Sequence, residues 1–97
     1  MGRISIRHEH KLGAGEAAAR LERLAVELAR RYGLKVECRG GTATFSGRGA
    51  SGRAVADDGS VRVEAKLPPL LPAELVEAGI REELRKHFGP AARRSQP

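Results

Sequence analysis

LKVECRGGTATFSGRGASGRAVADDGSVRVEAKL, residues 34–67, is the stretch that decides the fold. Leu34, Val36 and Cys38 alternate with Lys35, Glu37 and Arg39, the two-residue period of a strand with one buried face. On that alternation Cys38 is expected to be a buried thiol acting as a small hydrophobe. Gly40-Gly41 is a two-residue hairpin signal, and Thr42–Ser46 reads as the next strand. Gly47-Arg48-Gly49 makes a turn, residues 52–56 form a weaker strand, and Asp57-Asp58-Gly59-Ser60 is a strong turn. Val61, Val63, Ala65 and Leu67 then alternate with Arg62, Glu64 and Lys66. Four consecutive strands with short turns make an antiparallel meander.

Outward from this meander the period changes on one side and stops on the other. Arg3–His8 alternates again and predicts one more strand. From about Glu16, Ala17, Leu21, Leu24, Ala25, Leu28 and Tyr32 recur at three- and four-residue steps, one apolar stripe down a helix. Glu16 precedes Arg20 by four residues and Glu27 precedes Arg31 by four, and Gly33 suits the left-handed cap. After the meander, Pro68-Pro69-Leu70-Leu71-Pro72 ends the sheet, because proline cannot donate to a ladder. Pro72 opens a second helix striped by Leu75, Val76, Ile80, Leu84 and Phe88, and Gly89-Pro90 closes it.

The class is therefore α+β, in the order strand, helix, four strands, helix. Both helices have a single apolar stripe, so they are expected on one face of an antiparallel sheet of order 2-3-4-5-1. Residues 1–90 are expected to form one domain and residues 91–97 a disordered tail. The core must be aliphatic, since apolar residues are 40% of the 97 and aromatics only 3%. The first residues hold no apolar run long enough for a signal peptide, and no stretch approaches the roughly 20 apolar residues of a membrane span. A single cysteine excludes an internal disulfide and points to a reducing, cytoplasmic setting.

Few residues carry a chemical signature. Gly47-Arg48-Gly49-Ala50-Ser51-Gly52 spells G-x-G-x-x-G, but strands flank it on both sides, whereas a dinucleotide site needs a helix opening on the loop. His8 and His10 lie two apart without the spacing of a zinc site, so they read as a solvated pair at a strand end. Asp57-Asp58 reads as a turn. No catalytic set, metal site or cofactor is expected.

Two surfaces remain as candidates for binding. Leu67, Leu70 and Leu71 lie in the proline-rich connector, either capping the core or presenting an apolar ridge. Arg3, Arg7, Lys35, Arg39, Arg62 and Lys66 fall on the sheet face away from the helices, where they would meet a polyanion. The formal net charge is +6, yet it is spread nearly evenly along the chain, so any basic patch must be assembled by folding. Stacking aromatics are missing from that face except for Phe45, whose alternation is less clear. Nucleic acid is therefore the disfavoured partner.

Taken in order, Ile4-x-Ile6-x-His8-x-His10-x-Leu12-Gly13, the alanine-rich helix ending Arg31-Tyr32-Gly33-Leu34, Gly49-x-Ser51-Gly52, Asp57-Asp58, Val61-x-Val63, Leu70-Leu71 and Ile80-x-x-Glu83-Leu84 resemble the small polyhydroxyalkanoic acid system proteins. That resemblance implies a bacterial protein linked to storage-polyester synthesis, use or granule surfaces, with no known activity or cofactor attached. It implies a non-enzymatic accessory protein whose partner is the granule surface or a granule-associated protein. The topology also looks like a shortened helix-grip fold of the SRPBCC type, in which sheet and helix enclose an apolar cavity. At this length the core is expected to fill that space, and a cavity of about 300 Å³ or more would favour an apolar-ligand binder instead. The expected assembly is a monomer or a weak homodimer, with Glu37 and Glu64 pairing across the open face to Arg3, Arg7 and Arg62.

Overall fold

The computed structural model describes residues 2–90. Its elements are β1 (Gly2–Glu9), α1 (Ala14–Tyr32), β2 (Lys35–Arg39), β3 (Thr42–Gly47), β4 (Ala50–Ala56), β5 (Ser60–Leu67) and α2 (Ala73–Phe88). The strands form one antiparallel sheet in the order β1-β5-β4-β3-β2, the arrangement the alternation and the connection lengths predict. The expected tail at 91–97 lies outside the described residues.

Register places the side chains in rows across the sheet. Val36, Phe45, Gly52, Ala65 and Ile4 form one row, and Cys38, Ala43, Ala54, Val63 and Ile6 form the next. Both belong to the face covered by the helices. α1 seals it with Ala17, Leu21, Leu24, Ala25 and Leu28, all buried, and ends at Gly33, whose φ of 67° lets its N–H reach the Ala29 carbonyl. α2 buries Val76, Gly79, Ile80, Leu84 and Phe88.

The helices run antiparallel. Arg20 near the start of α1 donates to the His87 carbonyl at 2.9 Å, while Arg31 at its end donates to Glu82 and Glu83 at 3.2 and 3.1 Å. Gly79 lets Tyr32 of α1 lie close against α2, since a Cβ there would run into the Tyr32 hydroxyl.

Several expectations from the alternation need correcting. Phe45 is 7% exposed and faces the helices, so it does not belong to the open face. Cys38 has the predicted facing but is exposed, because β2 is the outer strand and nothing covers its far flank. Leu75 is 71% exposed: it sits one residue from Val76, about 100° round the helix and off the buried stripe. His8 and His10 are 7% and 5% exposed, buried beneath the end of α2. β4 begins at Ala50, two residues before the predicted start, so Arg48-Gly49 alone forms the hairpin loop, both with positive φ (54° and 80°).

Candidate functional site

The helix-covered face is filled at one end and open at the other. At the filled end, His8 Nε2 donates to the Gly89 carbonyl at 2.9 Å, and the His10 ring stands 5.4 Å from that of Phe88. The Leu12 N–H donates to His10 Nδ1 at 3.0 Å, which leaves the proton of the neutral ring on Nε2. That Nε2 has no hydrogen-bond partner. Ser60 is buried here too, behind a turn in which Asp57 Oδ1 accepts from the Gly59 and Ser60 N–H groups at 2.9 and 2.8 Å. Those two N–H groups, Gly59 first, hold the Asp57 carboxyl below its ordinary value.

At the opposite end lies an apolar cleft of about 420 Å³. Its floor is the Phe45–Gly52–Ala65 row, continued by Ala50. Gly52 and Ala65 bring almost no side-chain volume between Phe45 and Ile4, and the strip above them is left open. Leu28 and Tyr32 of α1 and Val76 and Ile80 of α2 form the walls, and Leu67, Pro68 and Leu71 of the connector form the end. The hairpin tip leans on that connector, with the position of a Gly49 Cβ 3.4 Å from the Pro68 Cβ. The expectation that the core fills this space is therefore corrected.

The connector divides the three leucines singled out in the sequence. Leu67 is 7% exposed and belongs to the core, Leu71 is half-buried against it, and Leu70 is 97% exposed at the mouth of the cleft. Two guanidinium groups share that mouth. Arg31 is neutralised by Glu82 and by the buried Glu83, and its hydrogen bond to Glu82 is the main cause of a raised pKa. Arg48 lies over the Gly33 backbone and has no carboxylate within ion-pair distance among the described residues. Burial holds the Tyr32 hydroxyl in its protonated form to higher pH, against the opposing charge of Arg31.

Glu83 escaped sequence reasoning. It takes the Arg31 hydrogen bond through Oε2, and its Oε1 lies 3.4 Å from His87 Nε2. The four-residue spacing of Glu83 and His87 was the available signal, but a glutamate inside an apolar stripe gives no hint that the opposite helix brings an arginine to it.

The open face gathers charge that the linear sequence disperses. One row reads Lys35, Ser46, Ser51, Lys66, Arg3; the next Glu37, Thr44, Arg53, Glu64, Ser5; the third Arg39, Thr42, Val55, Arg62, Arg7. All six predicted cations are exposed here, with Arg53 added, against Glu37, Glu64 and Glu9, the last 3.7 Å from the Arg7 guanidinium. Arg7 stands directly opposite Arg62, and Arg3 opposite Lys66, arrangements that cost stability. Phe45 is on the other side, so no aromatic ring interrupts this face.

The remaining motifs carry no chemistry of their own. The glycine-rich hexapeptide is a hairpin between β3 and β4. Cys38 has a pKa raised by desolvation first and by Glu22 second, the reverse of an activated thiol. Among the described residues no three His, Cys, Asp or Glu side chains are placed to hold a metal. No described helix is long and apolar enough to cross a membrane.

Residues 4–89 match the family model described as "Putative polyhydroxyalkanoic acid system protein". No curated protein and no solved structure matches the chain.

Proposed function

The chain belongs to the polyhydroxyalkanoic acid system protein family, a family of the polyhydroxyalkanoate granule region, and from that premise we propose that it is a non-enzymatic accessory protein that docks on the polyester granule in the bacterial cytoplasm. The observation that carries this reading is Leu70, 97% exposed on a connector stiffened by Pro68, Pro69 and Pro72. An exposed leucine leaves water when a partner covers it, and prolines fix the presented shape at small entropic cost. Leu75, 71% exposed in the first turn of α2, widens the contact.

Co-sedimentation with purified granules tests the proposal. The protein should pellet at both low and high salt, and Leu70→Asp should move it to the supernatant without changing its circular dichroism. A parent protein that stays in the supernatant at every salt concentration refutes granule docking.

The seven cations of the open face favour a second reading, contact with a polyanion through Arg3, Arg7, Lys35, Arg39, Arg62 and Lys66. Such binding would weaken steeply with salt, and its absence at about 50 mM salt removes it. The same charge argues for a monomer: two copies facing each other through this sheet would set seven cations against seven, with three carboxylates on each side, Glu9, Glu37 and Glu64, to offset them. Sedimentation at two salt concentrations checks that assignment.

A further inference from the structure

We infer that the cleft between the sheet and the two helices is a binding site for a single medium-chain aliphatic carboxylate, with the alkyl chain on the Gly52–Ala65 floor and the carboxylate at Arg48. This goes beyond granule docking and does not depend on it.

Size comes first. At about 30 Å³ for a water-sized group, 420 Å³ accommodates roughly a dozen non-hydrogen atoms, the size of a ten-carbon acid. It also falls in the range of small-molecule pockets and well above packing voids. Shape follows from the register. The missing side chains form a strip along one row of the sheet, between Phe45 and Ile4, bounded by Leu28, Val76 and Ile80, and a narrow aliphatic strip suits an extended chain better than a ring system.

The floor resists being filled in place. A Cβ on Gly52 would stand 3.0 Å from the Glu64 carbonyl oxygen and 3.2 Å from the Ala65 Cβ, so the backbone geometry itself keeps the strip clear there.

Charge selects the head group. Of the two guanidinium groups at the mouth, Arg31 already has Glu82 and Glu83. Arg48 has none among the described residues, and the left-handed hairpin loop holds it at the cleft's edge, where its φ of 54° is uncommon for a residue with a Cβ. Glu64, which also touches the cleft, projects to the opposite face beside Arg53. A carboxylate at the mouth thus meets Arg48, unpaired among the described residues, with the protonated Tyr32 hydroxyl as a further donor.

Titration calorimetry with hexanoate, octanoate and decanoate below their micelle-forming concentrations tests this on the intact chain. Decanoate should bind saturably one-to-one with a Kd on the order of 0.1–1 mM. Affinity should rise about fourfold per added methylene, the factor equivalent to about 0.8 kcal/mol. Ala65→Leu places an alkyl group on the floor and should abolish binding with the thermal midpoint held or raised. Arg48→Gln should weaken decanoate about three- to fivefold and leave decanol unchanged. Absence of saturable binding up to about ten times the expected Kd overturns the inference. So does decanoate binding that Ala65→Leu leaves intact, or equal affinity for decanoate and decylamine. A dimer that Leu70→Asp dissociates, found together with no decanoate binding, gives the cleft to a second copy and also overturns it. Granule docking is read through Leu70 and acid binding through Ala65, so either can fail without the other.

Discussion

The two ends of the helix-covered face are built on the same strands, yet one is packed and the other is not. At the packed end, β1 and the residue after it bring His8 and His10 against Phe88, and the chain closes with a hydrogen bond from His8 to Gly89. At the other, β4 and β5 offer only Gly52 and Ala65, and α2 spans the gap above them. Secondary structure is equally regular in both places. Small side chains alone do not make the difference, since Ala43 and Ala54 of the neighbouring row are fully buried; over Gly52 and Ala65 the helices leave the strip uncovered, so a sheet and two helices can be fully specified while the space between them stays unfilled.

The largest expected effect tests whether this contrast is energetic. Leu84→Ala, a fully buried α2 residue, should cost about 2–5 kcal/mol, read from urea unfolding. Leu71→Ala, half-buried at the cleft, should cost less than about 1 kcal/mol, because its loss enlarges a space already open to solvent. Equal costs would mean that the two ends are packed alike. His8→Ala should come next, at about 2 kcal/mol, since it removes a buried ring and leaves the Gly89 carbonyl without its donor. Hydrogen exchange localised to β1 and the end of α2 would report it.

Ala65→Leu sharpens the comparison from the other side. Filling the strip should raise stability by about 0.5–2 kcal/mol, whereas the same enlargement at Ala54, fully buried in the neighbouring row, should be destabilising. Loss of stability in Ala65→Leu would show that the floor has no spare room. The smallest effect is the turn beside the packed end. Asp57 has a lowered pKa, so its contribution is present above the ordinary carboxyl range, about 3.9, and fades as the pH falls through the lowered value. Asp57→Ala should therefore reduce stability slightly at neutral pH and flatten the acid limb, leaving the cleft unchanged in a pH series of thermal melts.

Period and punctuation made the element order and strand order legible, because each strand alternates cleanly and each turn carries its own glycine or aspartate. Coverage was less legible than facing. Cys38 points to the helix side and is still exposed, since alternation says which way a side chain points but not whether a helix reaches that far. His8 and His10 reverse the case: their alternation put them on the covered face, and their polarity argued for solvent. The basic face was only half visible, because its cations come from four strands and meet through pairings of residues up to about sixty positions apart. The cleft left no trace in the hydrophobic pattern, for glycine and alanine at 52 and 65 fit the apolar alternation as well as leucine does, and only register shows that they are neighbours.

The pairing of β1 with β5 sets the order of events when the chain is made. Ile6 must wait for Val63, so the earliest-made strand of this sheet is the last of its strands to find a neighbour, and its closing hydrogen bond needs Gly89 as well. Local hairpins from β2 to β5 can form in microseconds, while docking the opening segment must overcome the closure entropy of a long loop. Until then Ile4 and Ile6 have no cover, and the time they spend without it is set by translation speed rather than by the stability of the finished fold.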